Sequence, residues 1–485
     1  MNAKLRRREF LQSASAMGLG VSLGSAAALG PLTPARAEDM KVGPDAVRFR
    51  PEIEPVVRWI EETPRERVLD VAVDQLKAGL SYRDMLAGLF LAGIRNVQPR
   101  PVGFKFHAVL VINSAHLLGQ TASVGDRLLP LFWALDNFKN SQLQDIKEGD
   151  WTLAKVDETK VPGPSRAKAA FVRAMDDWDV DAADVAVAGL CRSGGAAEVM
   201  EPFWRYGLRD HRDIGHKAIF TAQCWRTLQA IGWQHAEPVL RSLAYGVLDL
   251  QKDTKKEAVG PYEVNLENAL KIRDDWQGGK RDPAATRAML QTLREAKSED
   301  AGAEVVKHLN NGVSADSLWD AVILAGNELL MQNPGIVAIH AVTSANALHF
   351  IFNAAGDDNN RRLALLQAAG WIPLYRQRAK PAAGLVIDAI APASPEGSGE
   401  EAVADIFATI NKSRGEAASK AVGYLAAGGS PDLIFAAARR MIFRKGRDSH
   451  DYKYGAAAFE ECTLAADPKW QAPLAAASLF NTPGA

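Results

Sequence analysis

Residues 103–119, "GFKFHAVLVINSAHLLG", and residues 335–352, "GIVAIHAVTSANALHFIF", share the pattern His-Ala-Val-x-x-x-Asn-x-x-His, with equivalent residues 233 positions apart. The pattern places His107, Asn113 and His116 in one segment and His340, Asn346 and His349 in the other. The same offset pairs Gly79-x-Ser81 with Gly312-x-Ser314, Leu91-Ala92-Gly93 with Leu324-Ala325-Gly326, and Pro101 with Pro334. With small gaps, "DRLLPLFWAL" pairs with "NRRLALLQAAGW", and "GLRDH" (207–211) with "GRDSH" (446–450). A register held over this length predicts a tandem duplication. The expected layout is a homologous half over 50–250, a charged helical connector over 251–287, and a second half over 288–485. Two such copies are expected to pack about a pseudo-twofold axis.

The fold class follows from periodicity. Apolar residues recur at helical spacing in "RERVLDVAVDQLKAG" (65–79), "AIFTAQCWRTLQAIGW" (218–233) and "PDLIFAAARRMIF" (431–443), which predicts an all-α chain. The strand candidate is short: "AGLVIDAI" (383–390).

The first residues carry an address. Arg7-Arg8 followed by Glu9-Phe10-Leu11, a Gly/Ala-rich stretch, and Ala35-Arg36-Ala37 resemble a twin-arginine export signal with a small-x-small cleavage site. Residues 1–37 are therefore set aside from the fold, and a periplasmic or secreted location is expected. Export of folded protein raises the expectation of a bound cofactor. Removing the signal leaves 52 basic against 57 acidic side chains, a balance that gives no footing for nucleic acid or an anionic membrane. No integral membrane segment is expected in the mature chain. Cys191, Cys224 and Cys462 are too few for a disulfide scaffold, although one bridge can form, and the absence of CxxC and CxxCH removes zinc ribbons and c-type haem.

Polar side chains inside apolar helices are the remaining signal. Pro101 and Asn333-Pro334 sit where the two motif helices should begin, which places His107 and His340 about two turns in. Nine residues rotate a helix by about 900°, so His107 and His116 should face opposite sides. One member of each pair is then expected to line a site, and the other to bond a carbonyl or carboxylate. "EVMEPFWRYGLRDHRDIGHKAI" (198–219) adds Glu198, Glu201, His211 and His216, with Pro202 disturbing the helix and a turn at Gly207. Carboxylates and imidazoles together suit iron, manganese or zinc. The competing expectation is that Arg205, Arg209 and Arg212 neutralise the two glutamates. The second half keeps His450 and Lys453, the latter matching Lys217, but has Ala437 and Arg440 in place of the glutamates. One composite site is thus favoured over two equal ones. His235 and His308 have no counterparts and are expected at the surface or as caps.

The "HAVT" segment and the histidine-bearing helices resemble those of the questin oxidase-like family, and the resemblance covers the motif helices. It implies an oxygen-dependent oxidation of an organic substrate. "IGHKAI" (214–219) and "SHDYKY" (449–454) resemble segments of a group of exported bacterial proteins. The combined expectation is an exported redox enzyme that holds a transition metal, iron foremost, or haem. Its ligand pool is His107, His116, His211, His216, His340, His349, His450, Glu198 and Glu201, supported by Asn113, Asn346, Lys217 and Lys453. The alternative is a helical binding protein whose histidines are structural.

Overall fold

A computed structural model describes residues 45–249, 260–382 and 384–485. The expected export signal, residues 1–37, lies outside the described residues. All regular structure among them is helical, apart from two isolated bridges, Ala46 with Ala154 and Lys280 with Val313. The chain forms two compact units. The first holds residues up to Ala196 together with Cys224–Asp249, and the second holds Ala197–Gln223 and everything from Leu250 onward.

In the first unit α1 (Glu54–Glu62), α2 (Arg65–Lys77), α3 (Tyr82–Asn96), α4 (His107–Gln120) and α5 (Leu129–Glu148) precede α6 (Pro164–Asp176) and α7 (Val180–Ser193). Next come α8 (Ala196–Leu208), α9 (His216–Ile231) and α10 (Ala236–Val247). Helix α8 lies in the second unit apart from its first residue, and α9 is divided at Gln223. Within the first unit α3 packs against α1, α4, α5 and α10, and α7 against α6 and α10. Met85, Leu89, Leu91 and Ile94 of α3 are fully buried, and each such side chain contributes about 1.5–3 kcal/mol.

The second unit continues with α11 (Tyr262–Lys271), α12 (Pro283–Glu295), α13 (Ser298–Asn310), α14 (Ala315–Gln332), α15 (Ile336–Ala354) and α16 (Asp358–Ala379). It ends with α17 (Gly399–Ile410), α18 (Arg414–Ala426), α19 (Pro431–Lys445), α20 (Ser449–Leu464) and α21 (Gln471–Ser478). Helix α15 is its core: α14, α16, α20 and the turn 212–215 all pack on it. It is long and apolar enough to cross a membrane, with mean hydropathy 1.3, yet 72% of that stretch is buried inside the fold.

Local chemistry sets the helix ends. Ser81 accepts from Asp84 N, Ser314 from Asp316 N, Asp357 from Asn359 N, and Asp448 from His450 N, each supplying an acceptor to a helix N-terminus. Gly79 (φ 104°) and Gly312 (φ 81°) follow the ends of α2 and α13, where a side chain would be strained.

Several expectations are corrected. "AGLVIDAI" forms no strand: Ile387–Ala389 is a single 3₁₀ turn, and Ile387 N donates to Glu328 rather than to a neighbouring strand. The expected helical connector does contain a helix, α11, which packs against α13 and α16. Helix α4 begins at His107 itself, because Phe104 sits at φ 46° and a 3₁₀ turn, Phe104–Phe106, comes first. Helix α15 begins at Ile336, so His340 lies little more than one turn in. Pro202 is accommodated inside α8, and Gly207 is a point of close helix approach, where an added Cβ would stand 2.5 Å from Thr221 Oγ1. The three cysteines are free thiols.

Candidate metal centre

The reversal between α8 and α9 is built on a buried carboxylate. Asp210, 1% exposed, accepts from Arg212 Nε at 2.8 Å and from Lys217 Nζ at 2.7 Å. Burial opposes its charge, but these two cations outweigh that and hold its pKa below the ordinary value. Three successive residues, Asp213 (φ 57°), Ile214 (φ 50°) and Gly215 (φ 80°), then take left-handed backbone, which is costly for the two that carry a side chain. The strained carbonyl of Ile214 accepts from Tyr375 OH at 2.9 Å, and Tyr375 OH also meets Ser344 Oγ at 2.9 Å. An added Cβ at Gly215 would stand 2.7 Å from both Ser344 Cβ and Tyr375 OH, so the turn sits directly against α15 and α16.

This turn delivers His216, the first residue of α9, to His340 of α15. The Nε2 atoms stand 2.8 Å apart, with ring centroids at 4.4 Å and planes at 62°. His340 Nδ1 lies 2.7 Å from Ile336 O, and His216 Nδ1 bonds Asp213 O. A carbonyl only accepts, so both Nδ1 atoms carry a proton, and where both rings are neutral each presents a lone pair at Nε2. Two facing lone pairs repel each other, and either a shared proton, which makes one ring imidazolium, or a metal ion between them removes the conflict. Imidazole nitrogens that share an ion at about 2.0–2.1 Å lie about 2.9–3.4 Å apart for cis or tetrahedral ligation, close to the distance seen. Backbone-bonded Nδ1 is also the usual way a ligating imidazole is oriented.

The surroundings favour the neutral form that a ligand needs. His340 is fully buried and His216 is 5% exposed. Burial, reinforced by Lys453, holds His340 well below its ordinary pKa. The His450 ring lies 5.2 Å from that of His340, at 66°, with Nδ1 3.0 Å from Asp448 Oδ1. Burial pushes the Lys453 ammonium down to about 7 against the opposing charge of Asp448, and its Nζ has no hydrogen-bond partner. His216, His340 and His450 of the ligand pool, with Lys453 of the supporting set, thus meet in the second unit, although His216 and the other three come from opposite halves of the sequence.

Glu201 accepts from Gly356 N and Asp357 N at 3.0 Å, and from Asn360 Nδ2, which ties it to the start of α16. Glu198 is exposed in the first turn of α8, and neither glutamate belongs to a cluster of candidate ligands among the described residues. Arg212 serves Asp210, and the Arg205 and Arg209 guanidiniums lie over the Tyr206 ring. His211 packs edge-on to Trp371 and Tyr375 at 5.2 and 4.7 Å; burial pushes it down to about 4, and its Nε2 has no hydrogen-bond partner.

His349 bonds Glu461 Oε2 at 2.8 Å and stacks on Trp319 at 4.5 Å, while Asn346 donates to Glu460 and Glu461. In the first unit His107 Nδ1 bonds Phe104 O, His116 Nδ1 meets Tyr82 OH at 3.1 Å, and Asn113 is buried. His235 is buried rather than at the surface and makes no side-chain cap, and His308 is half-buried beside Glu304. Sequence reasoning missed Asp210, Gly215, Ser344 and Tyr375. The adjacent Arg-Asp-His-Arg-Asp run and the Gly before His216 were the available signals. No protein-family model, curated protein or solved structure matches the chain.

Proposed function

We propose that the protein is an exported metalloprotein that carries a transition-metal ion on His216 and His340 and uses it for redox chemistry. The observation that carries this reading is the 2.8 Å approach of two imidazole nitrogens whose Nδ1 atoms are both committed to backbone carbonyls. Imidazole donors suit copper, iron and zinc, and of these copper and iron supply one-electron chemistry when bound. The 2.8 Å separation favours a bare ion over haem, because two axial imidazoles leave about 4 Å between their nitrogens across the ring. In this reading the chain's own residues orient the two rings through their Nδ1 protons, keep them neutral by burial, and exclude water. The twin-arginine-like signal at residues 1–37 supports export. The resemblance to the questin oxidase-like family points toward oxygen-dependent oxidation of a small organic molecule.

The same proposal includes a tandem origin, in which one composite centre draws on both halves. Helix bounds support it: α2 and α13, α3 and α14, and α9 and α20 each begin 233 residues apart. Equivalent pairs also pack, α3 on α4 as α14 on α15, and α6 on α7 as α17 on α18. A bidentate ion pair recurs with its charges exchanged, Arg95 with Glu61 in one half and Glu328 with Arg294 in the other.

The experiment is metal analysis of protein recovered after export, for wild type, H216A, H340A and H349A. One ion per chain, lost in H216A and H340A but kept in H349A, is expected. The scaffold reading draws on the His349–Glu461 and His116–Tyr82 bonds, which tie histidines into the fold as structural groups. It takes over if wild type carries no metal and every replacement costs stability alone.

A further inference from the structure

The first unit holds a cleft of about 620 Å³ that none of the histidine chemistry uses, and its size is that of a small-ligand site. The cleft is assembled from the sequence as follows. Asp145, 1% exposed near the end of α5, accepts from Gln98 N at 2.9 Å and Trp151 N at 2.8 Å, and pairs with Lys105 Nζ at 2.8 Å. Gly149 (φ 138°) and Asp150 (φ 53°) turn the chain into the extended segment that starts at Trp151. That segment is fixed on one edge by Leu153 N to Arg95 O, Val47 N to Leu153 O and Lys155 N to Asp45 O. On the other edge Arg241, 2% exposed, donates to Ala154 O and forms a bidentate pair with Asp184.

These bonds anchor the segment on both edges, and the chemistry of the lining is mixed. Trp151 and Tyr245 form a tilted aromatic pair at 5.7 Å, and the Arg100 guanidinium over Tyr245 at 3.8 Å holds that ring in place. Trp151 is half-buried. Lys155, Lys160 and Arg241 face Asp157, Asp179, Asp181 and Asp184 around the lining, so neither sign dominates. Arg241–Asp184, Lys160–Asp157 and the bond from Ala182 N to Asp179 satisfy several of these groups internally. Thr152, Lys155 and Asp181 are exposed and keep their donors and acceptors for a ligand.

We propose that this cleft binds a neutral saccharide. A strongly charged ligand would need a lining of one sign, and a wholly apolar ligand would leave the polar groups unpaired. A pyranose ring presents an apolar C–H face to an aromatic side chain and a ring of hydroxyls that both donate and accept. Aromatic faces flanked by unengaged Thr, Lys and Asp match both demands.

The test is calorimetric titration of the full chain with cellotriose, xylotriose, chitotriose and maltotriose, alongside anilinonaphthalene sulfonate as an apolar aromatic probe. At least one trisaccharide should bind. Trp151→Ala should abolish that binding, Trp151→Phe should retain part of it, and Asp181→Asn, at an exposed helix turn, should weaken it about tenfold with the melting curve unchanged. The proposal is overturned if no trisaccharide binds, if binding survives in both Trp151→Ala and Asp181→Asn, or if the aromatic probe alone occupies the cleft in a Trp151-dependent way.

Discussion

Gly215→Ala tests the link between backbone strain and the centre while leaving every histidine in place. The new methyl would adopt φ 80°, which costs about 1 kcal/mol relative to glycine. It would also meet Ser344 Cβ and Tyr375 OH at 2.7 Å, an overpacking that costs about 1–3 kcal/mol more. The bonds at risk are those that hold the turn, Tyr375 OH to Ile214 O and Ser344 to Tyr375. Urea denaturation of the metal-free protein should therefore show a loss of about 2–4 kcal/mol. Competition with a chelating dye should show metal affinity reduced about 10–100-fold, the usual cost of disturbing a group that orients a ligand. Wild-type affinity in this variant would refute the argument that the Asp213–Gly215 turn sets the His216–His340 approach.

Other expectations follow from burial and charge. Arg95→Met strands Glu54 and Glu61 around a site only 1% exposed and should cost about 3–5 kcal/mol in urea denaturation, whereas Arg294→Met, at a pair 22% and 5% exposed, should cost less. Burial alone would lower the His349 pKa, but the Glu461 charge and hydrogen bond outweigh it and raise it. The stability this gives is complete below the unfolded value of about 6.5 and is lost as pH rises through the folded value, so the denaturation gap between wild type and Glu461→Gln should narrow from acid to alkaline pH. An unchanged gap would count against the pair being charged. Changing Arg7 and Arg8 to Lys should leave precursor in the cytoplasm, read by blotting of cell fractions; normal delivery would remove the export proposal.

The all-helical class was legible because apolar residues at helical spacing need no distant partner to be recognised. Segments such as 65–77 and 298–310 are followed by Gly79 and Gly312, whose left-handed backbone ends each helix. "AGLVIDAI" misled because alternation alone does not supply a neighbouring strand, and its backbone turned to Glu328 instead. The histidines themselves stood out, but their pairing did not: His216 and His340 are 124 residues apart, and the turn that joins them needs left-handed backbone at Asp213 and Ile214. Residue propensities oppose that conformation, so only the surrounding packing imposes it. Glu201 shows a related ambiguity, since a carboxylate that binds backbone N–H groups at a helix start has the same sequence signature as a metal ligand.

X-ray absorption on copper- or iron-loaded protein tests the central claim most directly. The account predicts a first shell that includes nitrogen at about 2.0–2.1 Å, with the outer-shell scattering of at least two imidazoles, reduced by one imidazole in His216→Ala and in His340→Gln and unchanged in His349→Ala. A shell of oxygen or sulfur alone, or one left intact by both the His216 and the His340 replacements, would contradict it.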